Sequence, residues 1–167
     1  DFFITNEGKS PNELYLNTGK APFFLAEQSA VWNELPTGSM SASWGDVDND
    51  GDLDMVVNNI DQEASLFRNL SMEKGFGNFL KVKAKSGPKD HLAKIYLWTE
   101  SGQQFAEIRQ VRGYRSAFLP EHVFGLGTDQ VIDSVVVVWT DGTKANYTGV
   151  KPNTTLQISK AAARQKY

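Results

Sequence analysis

Between residues 46 and 54 the chain reads Asp46-Val47-Asp48-Asn49-Asp50-Gly51-Asp52-Leu53-Asp54, with an aspartate at every second position. Carboxylates this close repel one another unless a cation lies among them, so a folded loop of this composition is expected to hold a hard metal ion. Side-chain oxygens fall at the first, third and fifth positions and a glycine at the sixth, where the chain has to turn sharply, as in the opening of an EF-hand loop. Asp52, at the seventh, is placed to offer its main-chain carbonyl. The twelfth position is Val57, which cannot supply the bidentate acid of an EF-hand, so Asp54 at the ninth is assigned the closing role. Calcium suits this donor set better than magnesium, which keeps several waters and takes only one or two carboxylates. The alternative is a solvated acidic turn without an ion.

The flanks say what kind of chain carries the loop. Ser41-Ala42-Ser43-Trp44 before it and Met55-Val56-Val57 after it lack a helical apolar period and end in a β-branched run, so the loop is expected to join two strands. A second copy of this pattern lies upstream. Asp1 is followed by Phe2-Phe3-Ile4-Thr5-Asn6 and later by Leu14-Tyr15-Leu16-Asn17; Asp54 is followed by Met55-Val56-Val57-Asn58-Asn59 and later by Leu66-Phe67-Arg68-Asn69. A repeat of about 53 residues is a blade-like period. In this register Asp1 is the last acid of an earlier loop, and the chain is expected to start in mid-repeat. Trp32 is expected to cover a connection over residues 28–40.

Residues 44–57, Trp44-Gly45-Asp46 through Met55-Val56-Val57, with Leu66-Phe67-Arg68-Asn69 following, resemble the FG-GAP or VCBS repeat, a calcium-bearing propeller blade. The resemblance covers about the first 70 residues. It implies calcium ligation by Asp46, Asp48, Asp50 and Asp54, with Asp52 contributing main-chain oxygen.

Ser71 to Gly77 is short and turn-rich and marks the expected boundary, giving a repeat region over 1–74, a second domain over 75–160 and a tail over 161–167. Leu80, Val82 and Ala84 alternate with Lys81, Lys83 and Lys85, as in a strand with one wet face. Alternation returns over residues 93–99 and 104–111. Lys94, Arg109, Arg112 and Arg115 extend the basic set, read as a solvated sheet face rather than an anion site. Residues 131–139 are the most apolar run, expected at the centre of a sheet with both faces covered. Thr140-Asp141-Gly142-Thr143 signals a hairpin. About seven strands at such spacing predict a β-sandwich, so the expected fold class is all-β: partial propeller-like blades, then a sandwich.

The second half is similar to the ASPIC/UnbV domain found after VCBS repeats in cartilage acidic protein and bacterial surface proteins. The resemblance spans about residues 77–150. It rests on Asn78-Phe79-Leu80-Lys81-Val82, Gly113-Tyr114-Arg115-Ser116, Phe124-Gly125-Leu126-Gly127 and Val137 to Gly142. The chain departs from that family at Lys89-Asp90-His91-Leu92-Ala93, which lacks the glycine-rich turn before the second strand.

Function classes narrow accordingly. A formal charge of −3 and a pI near 5.4 give no general attraction to nucleic acid. No apolar run approaches the roughly 18 residues that span a bilayer. With no cysteine and two histidines, nucleophilic catalysis would need His91 or His122, and neither lies in a nucleophile-elbow context. His122 reads as a packed strand residue, and acids that hold calcium stay ionised and cannot donate protons. The expectation is therefore not an enzyme but a calcium-stiffened recognition or adhesion module of a secreted or surface protein, periplasmic settings included. Its partner would be an extracellular protein or glycan. The alternatives are a carbohydrate-binding or spacer region of a secreted glycan-active enzyme, or a hydrolase in its own right. Trp98, Trp139 and Tyr114 read as core, and Trp44, beside the loop, as the aromatic to test for binding. Sequons at Asn69, Asn146 and Asn153 are compatible with secretion.

Overall fold

The structure, a computed structural model, describes residues 1–7, 10–22, 24–27, 38–85, 92–109, 111 and 119–162. Trp32, the Lys89-Asp90-His91 turn, Arg112 to Ser116 with Tyr114, and residues 163–167 lie outside the described residues. The chain is all-β, with thirteen strands and one short 3-10 turn, Lys160–Ala162, among the described residues. It packs as two units, residues 1–47 with 53–69, and residues 48–52 with 70–167.

The first unit holds two antiparallel three-stranded meanders, β1 (Phe2–Ile4), β2 (Glu13–Asn17), β3 (Phe24–Glu27), then β4 (Ser39–Gly45), β5 (Asp54–Asn59), β6 (Ser65–Phe67). The repeat seen in sequence recurs in hydrogen bonds. Asn17 N–H donates to Asp1 Oδ1 at 2.7 Å, and Asn69 N–H to Asp54 Oδ1 at 2.8 Å. Asn6 Nδ2 donates to the Pro11 carbonyl and Asn59 Nδ2 to the Glu63 carbonyl. Each repeat thus opens on an acid and pins its hairpin with an asparagine. A buried polar chain then ties the two meanders: Asn12 Nδ2 donates to Ser39 Oγ, which donates to Asn59 Oδ1, both at 2.9 Å.

The second unit is a two-layer sandwich. One sheet has the order β10 (Glu121–Gly127), β7 (Asn78–Ala84), β13 (Thr154–Ile158); the other runs β12 (Lys144–Tyr147), β11 (Ile132–Trp139), β8 (Ala93–Thr99), β9 (Gly102–Ile108). β13 joins β7 in parallel, and the remaining pairs are antiparallel. Alternate residues point inward, as pleating requires. Leu80 and Val82 of β7, Ile95 and Leu97 of β8, Val135 and Val137 of β11 are fully buried in one core with Phe124, Trp139 and Ile158. β11 has one buried face rather than the two expected, because Ser134, Val136 and Val138 on its other face are only half-buried. Its alternation was hidden in sequence because valine occupies both faces. The alternating lysines lie on the wetter face, where Lys83 pairs with Glu121 at 3.5 Å and Lys94 shares Glu107 with Arg109. His122 lies in β10 with its ring edge-on to Phe124. Of the sequon asparagines, Asn69 and Asn153 donate their side-chain nitrogens to Leu53 and Asn78, whereas Asn146 is exposed.

Candidate metal centre

The loop from Asp46 to Asp54 joins β4 to β5, a strand-to-strand connection. It is shaped by its own carboxylates. Asp50 N–H donates to Asp48 Oδ1 and Asp52 N–H to Asp50 Oδ1, so each acid turns the chain two residues on. Asn49 and Gly51 both take positive φ, at 63° and 103°. At Gly51 glycine is obligatory for a second reason, since a Cβ there would lie 2.1 Å from the Phe79 ring of β7.

One carboxylate oxygen from each of Asp46, Asp48 and Asp50 lies within 4.8 Å of the others, and the same holds for Asp50, Asp52 and Glu73. An ion about 2.4 Å from each oxygen needs such spacing. The donor set, oxygen only, is that of a hard cation. Within it, Asp50 Oδ2 and Asp52 Oδ1 are buried and have no hydrogen-bond partner among the described residues. The Asp52 N–H pulls the Asp50 carboxyl's pKa down, but desolvation and the charges of Asp52, Asp48 and Glu73 outweigh it and push it up. These acids therefore meet the chemistry of a bound divalent ion.

Asp54 belongs to neither group. It is 2% exposed, and its carboxylate accepts Val47 N–H at 2.9 Å and Asn69 N–H at 2.8 Å, fastening the loop's end to the start of the next segment. Asp52, expected to offer its main-chain carbonyl, also has a buried side chain whose Oδ2 accepts Met72 N–H at 3.1 Å. Glu73, which sequence reasoning passed over as part of a linker, is exposed in the turn over residues 70–76. Its only sequence signal is one more acid near the loop.

A second feature lies on the outer face of the sandwich. Trp98, expected in the core, is on the wet side of β8 with Tyr96, ring centroids 6.0 Å apart. Tyr96 in turn meets Phe105 of β9 at 5.1 Å, and Phe105 is 53% exposed. Trp139 is core, as expected. Trp44 is 44% exposed.

A small-meander repeat bearing an acidic strand-to-strand loop, followed by a β-sandwich, defines a β-repeat module of the extracellular type. Residues 1–57 match the FG-GAP-like repeat, and residues 92–165 match ASPIC and UnbV, the two matches following one another in that order. The second match lies further along the chain than the 77–150 of the sequence resemblance. Comparison with curated proteins found no match.

Proposed function

We propose that this chain is a calcium-binding recognition or adhesion module, non-catalytic, belonging to a secreted or surface protein. The observation that carries the proposal is the loop, whose closely spaced carboxylates include a buried, unpartnered oxygen on Asp50. Asp46, Asp48 and Asp50 would hold calcium through side chains and Asp52 through its carbonyl. Asp54 closes the loop, and each of its oxygens, having accepted one N–H, retains a lone pair for the ion. Bound calcium supplies charge neutralisation, and the chain's own hydrogen bonds supply the shape. Titration with calcium chloride tests this: binding heat with a rise in melting temperature is expected, and Asp48→Ala should remove the loop ion's share of both. Absence of heat and of thermal shift at millimolar calcium would remove the reading.

The recognition half of the proposal draws on the three aromatic rings of the outer sheet face, Tyr96, Trp98 and Phe105. Rings on the wet face of a sheet suit the apolar face of a sugar or an extended protein surface. The same observation favours the second reading, a carbohydrate-binding region of a glycan-active enzyme. A glycan array distinguishes them, since Trp98→Ala should abolish a sugar signal without changing the melting temperature. A partner signal that survives this substitution would exclude the aromatic face.

A further inference from the structure

We propose that Asp50, Asp52 and Glu73 form a second site for a hard divalent cation, separate from the loop site and sharing with it one carboxylate, that of Asp50. It rests on the loop reading through that shared residue alone. One oxygen from each acid lies within 4.8 Å of the others, which is the spread a single ion with oxygen ligands at about 2.4 Å can bridge. Proximity of acids is not sufficient in itself, because exposed carboxylates often cluster around water. The state of Asp52 goes further.

Asp52 is 8% exposed, so its carboxylate has left bulk water. Oδ2 accepts Met72 N–H at 3.1 Å, while Oδ1 is buried and accepts nothing from the described residues. Asp50 repeats the arrangement, with Oδ1 accepting Asp52 N–H at 3.0 Å and Oδ2 buried without a partner. Neither residue has a lysine or arginine partner among the described residues. Buried carboxylate oxygens are normally paired, and leaving them bare beside a third acid is costly. A cation removes both costs at once.

The geometry also explains why the side chain of Asp52 is turned inward. The Met72 N–H fixes Asp52 beside the turn over residues 70–76, which is closed by Lys74 N–H to Leu70 O and Phe76 N–H to Ser71 O and presents Glu73. Gly51, lodged against Phe79, holds the loop tip in place between its two acids. Asp50, Asp52 and Glu73 all belong to the second unit. The ion would therefore tie the loop tip to a turn outside the aspartate motif.

Calorimetric titration of the full chain with calcium chloride tests the assignment in wild type, Glu73→Gln and Asp48→Asn. Two calcium ions per chain are expected in wild type and one in each variant. Glu73 is exposed, so its substitution opens no buried gap. Glu73→Lys adds a check on folding: a tethered ammonium should raise the melting temperature in chelator while still reducing the stoichiometry to one. A single ion unaffected by Glu73→Gln would overturn the second site and leave the loop reading standing. A single ion weakened by both substitutions would also overturn it, since the acids would then serve one site. No binding at all would remove both readings.

Discussion

In the second unit sixteen apolar side chains from seven strands are buried in one cluster, whereas in the first unit the buried apolar side chains among the described residues are Met55 and Val57. The first unit buries polar groups instead: Asn12, Ser39, Asp54 and Asn59, joined to one another or to main chain. Dispersion and exclusion of water hold the sandwich. Hydrogen bonds with few geometric alternatives hold the repeat. A three-stranded meander has too little area to make a core, so its shape has to be specified by direction rather than by volume.

The largest test of this contrast is Trp139→Ala, which empties a buried position of the sandwich and should cost roughly 3–5 kcal/mol in urea denaturation. Calcium at a hundredfold excess over its dissociation constant should add about 2.7 kcal/mol. That increment should survive Trp139→Ala unchanged and shrink in Asp48→Ala by the loop ion's share, showing that the two sources of stability are independent. Asn59→Ala comes next. It leaves the Ser39 hydroxyl and the Glu63 carbonyl without their partner, for roughly 1–3 kcal/mol. An equal cost from Asn59→Leu would show that hydrogen bonding, not volume, is at stake there; a milder cost would weaken the contrast.

The smallest effect belongs to a polar corner of the sandwich. Hydrogen bonds from Thr99 and Ser101 hold the Asp129 carboxyl's pKa below its ordinary value. A carboxylate whose pKa is lowered by folding stabilises the fold above its unfolded pKa, and that contribution disappears as pH falls through the folded value. Asp129→Asn should therefore lower the melting temperature slightly at neutral pH and make no difference in strong acid. A deficit that persists in acid would show that shape, not charge, matters at this corner.

Much of this was legible in the residues because it depends on period. Leu80-Lys81-Val82-Lys83-Ala84 could alternate in only one way, and the repeat of Asp1 with Asn17 and Asp54 with Asn69 reappears as one hydrogen bond made twice. What escaped was non-local or ambiguous in type. Asp52 was given a main-chain role because its spacing matches a known loop; that its carboxylate also turns to Met72, twenty residues on and next to Glu73, depends on how the chain returns. Trp98 was placed in the core because aromatic residues usually belong there, yet Ile95 and Leu97 already claim the inner face of β8 and leave Tyr96 and Trp98 outside.

The loop tip has one more implication. Residues 48–52 pack with residues 70–167, although the chain reaches them in the middle of the repeat. A protein begun at Leu70 would lack Gly51 against the Phe79 ring and the Asp52 acceptor for Met72, and would expose an aromatic surface that the intact chain covers. Recombination at the seam between the two families would thus not exchange self-sufficient cassettes. Each graft would have to bring along five residues that the other module needs.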